Sequence, residues 1–380
     1  MLLNDTGALT SELAALAHRA AQYASKASGP GTRAAYGSAW RAYAAWCATI
    51  GRAPLAGDPG LVALYLTKRA DDGLAVSSLG VARAAIRAAH RLAGVPLDLD
   101  DARLGLVMEG ITRSKGRRPR RQAAPAVPDL LRRLLAALPS PASPPAAAAA
   151  LAARHRAMLL IGFGAALRRS EIVALTVGDV TVVDGRGLAL LVRHSKTDQQ
   201  GRGRTIAMWA NHRDPEFCPL TAFERWMGFR QEADDWTTLQ PAAQAGQAGQ
   251  ASQAGPAAAP PPLAPPPLAL ALDAWRAARP LFCGITSAGG LMGAAMSDKI
   301  VARLMKQACS LAGVEPSRFS GHSLRRGLLT TAGDLQLPLV DLMRQSRHKS
   351  VDTALSYIEA GDAWRNNITE PVFGGGRRSG

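Results

Sequence analysis

A chain of 380 residues with 45 Lys and Arg against 29 Asp and Glu carries a net charge of +16 at pH 7. That length allows two domains with cores of their own, and that charge favours a polyanionic partner, nucleic acid first, because neutralised phosphates release counterions. The four cysteines, Cys47, Cys218, Cys283 and Cys309, form no C-x-x-C pair. This argues against a zinc site or a disulfide framework and for reduced thiols in a cytosolic protein. The opening MLLNDTGALTSEL lacks a basic start followed by an apolar run, and the Ala/Leu-rich stretches are broken by Pro, Arg or Gly. Neither a secretory signal nor a membrane span is expected.

Residues 9–27 read as an Ala-rich helix with a weak apolar face. Beyond Gly29-Pro30-Gly31, Thr32 is a candidate N-cap, and Tyr36, Trp40, Tyr43, Cys47 and Ile50 recur at spacings of three and four up to Gly51. Asp58-Pro59 starts a second helix through Leu61, Leu64 and Tyr65. Ser77 opens a third through Leu79, Ala82, Ile86 and His90, stopped by Gly94, and Asp101 a fourth through Leu104, Met108 and Ile111. Four helices without strand signals make a small bundle over residues 1–115. The aromatic stripe has the spacing of a buried helix face rather than of a base-stacking platform, and His90 falls on the apolar side. Arg33, Arg41, Lys68, Arg69, Arg83, Arg87 and Arg91 are either phosphate contacts or ordinary solvated charges.

Arg113, Lys115, Arg117, Arg118, Arg120 and Arg121 then crowd six cations, with no acid, around the start of a linker over 116–127. Gly116 and Pro119 block a continuing helix there. Such a run is either a solvated tether or one that tracks a DNA backbone.

The second domain is placed over 128–380. Pro128–Leu138 reads as a helix, 139–153 as a Pro/Ala connection, and His155–Ala166 as apolar, with Arg168, Ser170 and Glu171 where one helix ends and another begins. GLALLVRHSKTDQQGRGRTIAM predicts two short strands around a Gly-rich turn, with Lys196 near the end of the first. PEFCPLTAFERWMGF predicts a helix, residues of about 235–272 a low-complexity surface insertion, and Asp298–Ala312 an amphipathic helix. Next comes Phe319–Ile358, with His322 and Arg325 on one helix face, then His348, and Tyr357 nine residues further on. A cationic pair, a second imidazole and a phenol point to a phosphate handled by a nucleophilic route.

Taken in order, ALRRSE, HSKTD, GHSLRRG and H-(x)8-Y resemble the four signatures of the tyrosine recombinases, the phage integrase family. The first domain resembles the Cre-like branch in AYAAWC, DDGLAVSSL and AHRLAGVPL…LVMEGI. The resemblance implies a mainly α fold with a small antiparallel β-sheet: a helical, SAM-like core-binding domain and an α+β catalytic domain that together form a C-shaped clamp on DNA. It also implies site-specific recombination through a 3′-phosphotyrosyl intermediate, without metal, ATP or other cofactor. In that chemistry Tyr357 is the nucleophile and His322 its base. Lys196 protonates the leaving oxygen, while Arg168 and Arg325 hold the non-bridging oxygens, His348 bonds one of them, and Glu171 orients the cations. The register of the motifs favours Arg168 over Arg169 and Arg325 over Arg326. Arg193, Arg202 and Arg204 flank Lys196 as further phosphate contacts beside the linker cations.

The implied partners are duplex DNA with specific recombination sites, a homotetramer on synapsed DNA (monomer or dimer when free), and accessory DNA-bending proteins. The tail over 358–380 docks either in cis or in a neighbouring subunit. The implied setting is the bacterial cytoplasm, at the nucleoid. Two rivals remain: a catalytically silent DNA-binding regulator of this fold, and a type IB topoisomerase. The intact set of six catalytic residues argues against the first, and the helical first domain and the chain length against the second.

Overall fold

Proline and aspartate set where most helices of the first unit begin. In the computed structural model the chain divides between Gln122 and Ala123. The described residues are 29–116, 122–140, 146–193, 195, 203–230 and 277–358, with Leu16, His18 and Arg19 ahead of them. The first unit holds α1 (Pro30–Thr49), α2 (Pro59–Asp71), α3 (Val76–Ala93) and α4 (Ala102–Lys115). Asp58 caps α2 by accepting from Gly60 N at 2.8 Å, and Asp101 caps α4 by accepting from Arg103 N at 2.9 Å. Two expected starts were late. Pro30 occupies the first turn of α1, where its fixed φ suits a helix, so Thr32 lies inside it; α3 likewise begins ahead of Ser77, with Ala75 at the cap. Gly94 ends α3 at φ 68°, a conformation that a side chain would strain.

Tyr43, Cys47, Val62, Tyr65, Leu79 and Ile86 form the centre of this bundle. The Tyr43 and Tyr65 rings meet edge-on at 5.0 Å, and Trp40 stands edge-on to His90 at 6.3 Å. His90 is buried, with Nδ1 bonded to Ile86 O at 2.9 Å. Tyr43 and Cys47 of the stripe are therefore core, with Trp40 and Trp46 packed half-buried against them, while Tyr36 stands outside that cluster and Ile50 is exposed. Lys68 and Arg69 pair with Asp72, and Arg83 and Arg87 approach Asp100, so part of the positive charge is matched within the unit.

The second unit contains α5 (Pro128–Ala137), α6 (Ala146–Gly164), α7 (Arg169–Ala174), β1 (Val180–Val183), β2 (Gly187–Val192) and β3 (Arg204–Trp209). After them come α8 (219–230), β4 (Cys283–Ile285), β5 (Leu291–Ala295), α9 (Lys299–Leu311), α10 (Ser323–Asp334), α11 (Leu339–Ser346) and α12 (Val351–Ile358). This is the mainly helical fold with small antiparallel sheets that the sequence implies. β1, β2 and β3 pair in that order, with Val182 opposite Leu188 and Leu188 opposite Met208. Alternation along the strands sends Leu188, Leu190, Val192, Ile206 and Met208 into the core beside Met158, Trp226, Phe282 and Leu304. All four cysteines are buried free thiols.

The sequence reading of 139–153 as a connection is corrected, because α6 already begins at Ala146. Alanine is the strongest helix former, and it suffices there without an amphipathic period. Strand β1 and the β4–β5 hairpin were not expected.

Segment 123–127 lies along the start of α10, with Ala124 N donating to Arg318 O at 2.7 Å and Ala126 N to Ser323 O at 2.9 Å. Gly327 permits this approach, since a methyl group there would overlap the Ala126 carbonyl. Most of the helix expected over 9–27, Arg117, Arg118, Arg120, Arg121, the insertion over 235–272 and the tail beyond Ile358 lie outside the described residues. Among the described residues no helix is long and apolar enough to cross a membrane.

Candidate active site

The turn between α6 and α7 organises the site. The apolar α6 stops at Gly164, and the chain reverses with Ala166 at φ 47°, Ala166 N donating to Phe163 O and Leu167 N to Gly162 O, both at 2.9 Å. Arg168 thereby becomes the N-cap residue of α7. Glu171, one turn on, accepts from Arg168 N at 2.8 Å on Oε2 and from Arg168 Nη1 at 2.6 Å on Oε1.

A second guanidinium reaches the same carboxylate from the end of α11. Arg347 Nη2 lies 2.6 Å from Glu171 Oε2, and its Nη1 donates to Ala165 O at 3.2 Å. Arg325, on α10, donates from Nη1 to Ala166 O at 2.7 Å. Glu171, Arg325 and Arg347 are all buried, and Arg168 is partly so. Arg168 and Arg347 thus share the Glu171 carboxylate, while Arg325 is held through the Ala166 carbonyl beside them. Burial, and then the positive charges of Arg168 and Arg347, push the Arg325 pKa down to about 10. Buried cations in excess of anions are costly, so the site is matched to an incoming anion. A guanidinium has five N–H donors; the bonds above leave Arg168 and Arg325 with donors to spare.

His348 follows Arg347 directly. Arg325 Nη2 meets His348 Nε2 at 2.8 Å, His348 Nδ1 meets Ser346 Oγ at 2.9 Å, and that hydroxyl donates to Leu342 O at 2.6 Å. Since arginine can only donate, Nε2 accepts and Nδ1 carries the proton. Burial and the neighbouring Arg325 push the His348 pKa down to about 4, which keeps the ring neutral at pH 7. The Tyr357 ring stacks on this imidazole at 5.3 Å with 21° between the planes, and Arg326 Cζ lies 5.9 Å from the Tyr357 ring centre.

His322 is exposed at the N-cap position of α10, one turn ahead of Arg325. Lys196 and Arg202 lie outside the described residues. Strand β3 is tied to the α6–α7 turn, because Gln345 Nε2 donates to Gly164 O at 2.8 Å and to Ala207 O of β3 at 3.2 Å.

Of the expected phosphate contacts, Arg193 is bound to the buried Asp179 at 2.5 Å while half its side chain is exposed. Arg204 is exposed at the start of β3. Arg113 and Lys115 are exposed in the last turn of α4, with Arg113 3.9 Å from Glu109. Arg169 pairs with Asp298 at 2.9 Å, away from the carboxylate that Arg168 meets.

The sequence reading missed Arg347, Ser346 and Gln345. Only Arg347 had a usable signal, its position beside His348, and nothing in spacing separates it from a surface cation.

Residues 128–363 match the phage integrase family. The chain is 28% identical over 351 residues to the integrase/recombinase xerD homolog of Selenomonas ruminantium, covering 92% of this chain and 87% of that protein. Its fold is similar to that of the XerH site-specific recombinase bound to palindromic difH substrate in a post-cleavage complex. The TM-score is 0.52 at 15% identity, over 83% of this chain and 71% of the other.

Proposed function

The chain belongs to the phage integrase family of site-specific tyrosine recombinases, and from that premise we propose that Tyr357 cuts and rejoins DNA strands through a 3′-phosphotyrosyl ester. The phenolic oxygen attacks the scissile phosphorus, the bond from phosphorus to the 5′ oxygen breaks, and the 3′ end stays on the protein. His322 takes the phenolic proton, and Lys196 gives one to the departing 5′ oxygen, leaving a 5′-hydroxyl. A 5′-hydroxyl from another strand then reverses the step. The ester conserves the energy of the broken bond, so the exchange runs without ATP.

Arg168 and Arg325 meet the non-bridging oxygens as negative charge grows on them. Glu171 keeps Arg168 in place. His348 accepts from Arg325 before DNA arrives, so its first task is to hold that guanidinium. Donation from its Nε2 to a phosphate oxygen requires a change of tautomer or protonation. The observation that carries the reading is a carboxylate shared by Arg168 and Arg347, with Arg325 bound to His348 and Tyr357 stacked on that neutral imidazole.

Duplex DNA bearing recombination sites is the substrate. Arg113, Lys115, Arg117, Arg118, Arg120, Arg121, Arg202 and Arg204 supply backbone contacts, and a tetramer pairs two duplexes. The helical residues 1–115 and the catalytic residues 128–380 act as separate DNA-binding domains on the 116–127 linker. The test uses duplexes that the protein selects from a randomised pool, then nicked near the cut so that the released fragment diffuses away. Denaturing gels should show a protein–DNA adduct and a free 5′-hydroxyl with the native chain and neither with Tyr357→Phe. Tight binding with no adduct from the native chain would instead mark a regulator.

A further inference from the structure

We infer that Arg347 is a positioning residue for strand cleavage: by occupying one oxygen of Glu171, it stops Arg168 from closing on both and leaves that guanidinium available to the scissile phosphate. The inference rests on the strand-transfer reading above.

Arginine and carboxylate favour a two-point pair, with two parallel N–H···O bonds. Here Arg168 Nη1 has only Oε1, at 2.6 Å, because Oε2 is taken by Arg347 Nη2 at 2.6 Å and by Arg168 N at 2.8 Å. Without the Arg347 side chain, the buried carboxylate would have one cation left to satisfy it. Arg168 would then turn toward Glu171 and away from a substrate.

The backbone gives an independent sign. Arg347 sits at φ 60° and ψ 36°, in the left-handed region where a non-glycine residue is strained. Glycine would occupy the position without that strain, so the side chain's own contacts must outweigh it. Those contacts converge on the site. Arg347 donates to Ala165 O and Ala166 O, and Ala166 O also receives Arg325. One carbonyl thus joins two guanidinium groups, and the next residue, His348, holds Arg325 from the other side.

Arg347→Gly removes the side chain and relieves the backbone; Arg347→Lys keeps the charge but loses the fork. Full-length variants are compared in single-turnover strand scission at saturating DNA. One substrate carries an ordinary scissile phosphate and the other a methylphosphonate, whose methyl group replaces one charged non-bridging oxygen. On phosphate, Arg347→Gly should be slower by about 10- to 100-fold, the usual cost of a misplaced group, with DNA affinity unchanged. On methylphosphonate, where less charge needs an arginine, the defect should largely disappear, and in a Glu171→Gln background the same substitution should add little.

Equal slowing on both substrates, or full activity on phosphate, overturns the inference; a merely structural clamp would give the first result. If Arg347→Gly does not fold, the ratio between substrates for Arg347→Lys decides by the same criterion. A native chain that cleaves neither substrate brings down the strand-transfer reading and this inference together. Normal native cleavage with an equal defect on both removes the inference alone.

Discussion

Arg325 is 2% exposed, yet among the described residues its guanidinium meets a carbonyl and an imidazole rather than a carboxylate. A buried charge in that position is costly until something anionic completes it, the role proposed for the scissile phosphate. Arg168→Ala and Arg325→Ala should each slow strand scission by about 10²–10³-fold, or ~3–4 kcal/mol of barrier. Lysine should restore only part of it, because it lacks the planar fork; single-turnover rates check both.

His155 is buried beside Arg154 on α6, with Arg154 Nη2 3.0 Å from its Nε2. Burial first, and then that cation, push its pKa down to about 4. The unfolded chain protonates near pH 6.5, whereas the folded chain resists until about 4. Stability should therefore fall as pH drops through that window, by about 3 kcal/mol at most from this group, with little further loss below it. His155→Gln should flatten the part of a denaturant-midpoint profile that this group supplies. The six signature residues could be proposed from the sequence because family resemblance fixes their order and interval. Arg347 could not, since its meaning depends on which carbonyls and carboxylate the folded turn presents.

Among the elements, α10 and segment 123–127 pack so closely at Gly327 that no side chain fits between them. In an ordinary helix interior, Gly→Ala gains roughly 0.5–1 kcal/mol. At Gly327 the added methyl would overlap the Ala126 carbonyl, and moving backbone in a packed interior costs about 1–3 kcal/mol or more. The clash wins. Gly327→Ala should lower Tm and loosen the helix that carries His322 and Arg325, which thermal unfolding and cleavage rate would both register.

The elements themselves were unequally legible. Asp58-Pro59, Asp101 and Gly94 mark helix ends by local chemistry, and the structure uses them as such. The start of α6 was hidden because an alanine run has no period to read. β1 and β4–β5 are three to five residues long, too short for alternation to stand out.

At the scale of the whole molecule, a net charge of +16 serves a chain that must hold a polyanion. DNA affinity should fall steeply with salt. If the linker cations meet phosphates, replacing Arg117, Arg118, Arg120 and Arg121 with Gln should reduce the slope of log K against log salt by about 0.9 for each phosphate no longer neutralised. The scission rate at saturating DNA should not change. An unchanged slope would make the linker a solvated tether.

Mass spectrometry of the adduct reads the covalent bond itself. After nuclease and protease digestion of the adduct formed on a nicked substrate, the peptide containing Tyr357 should carry a nucleotide through its phenolic oxygen, attached at the DNA 3′ phosphate. A nucleotide on any other residue, or attachment through a 5′ phosphate, would rule out Tyr357 as the nucleophile of a 3′-linked intermediate.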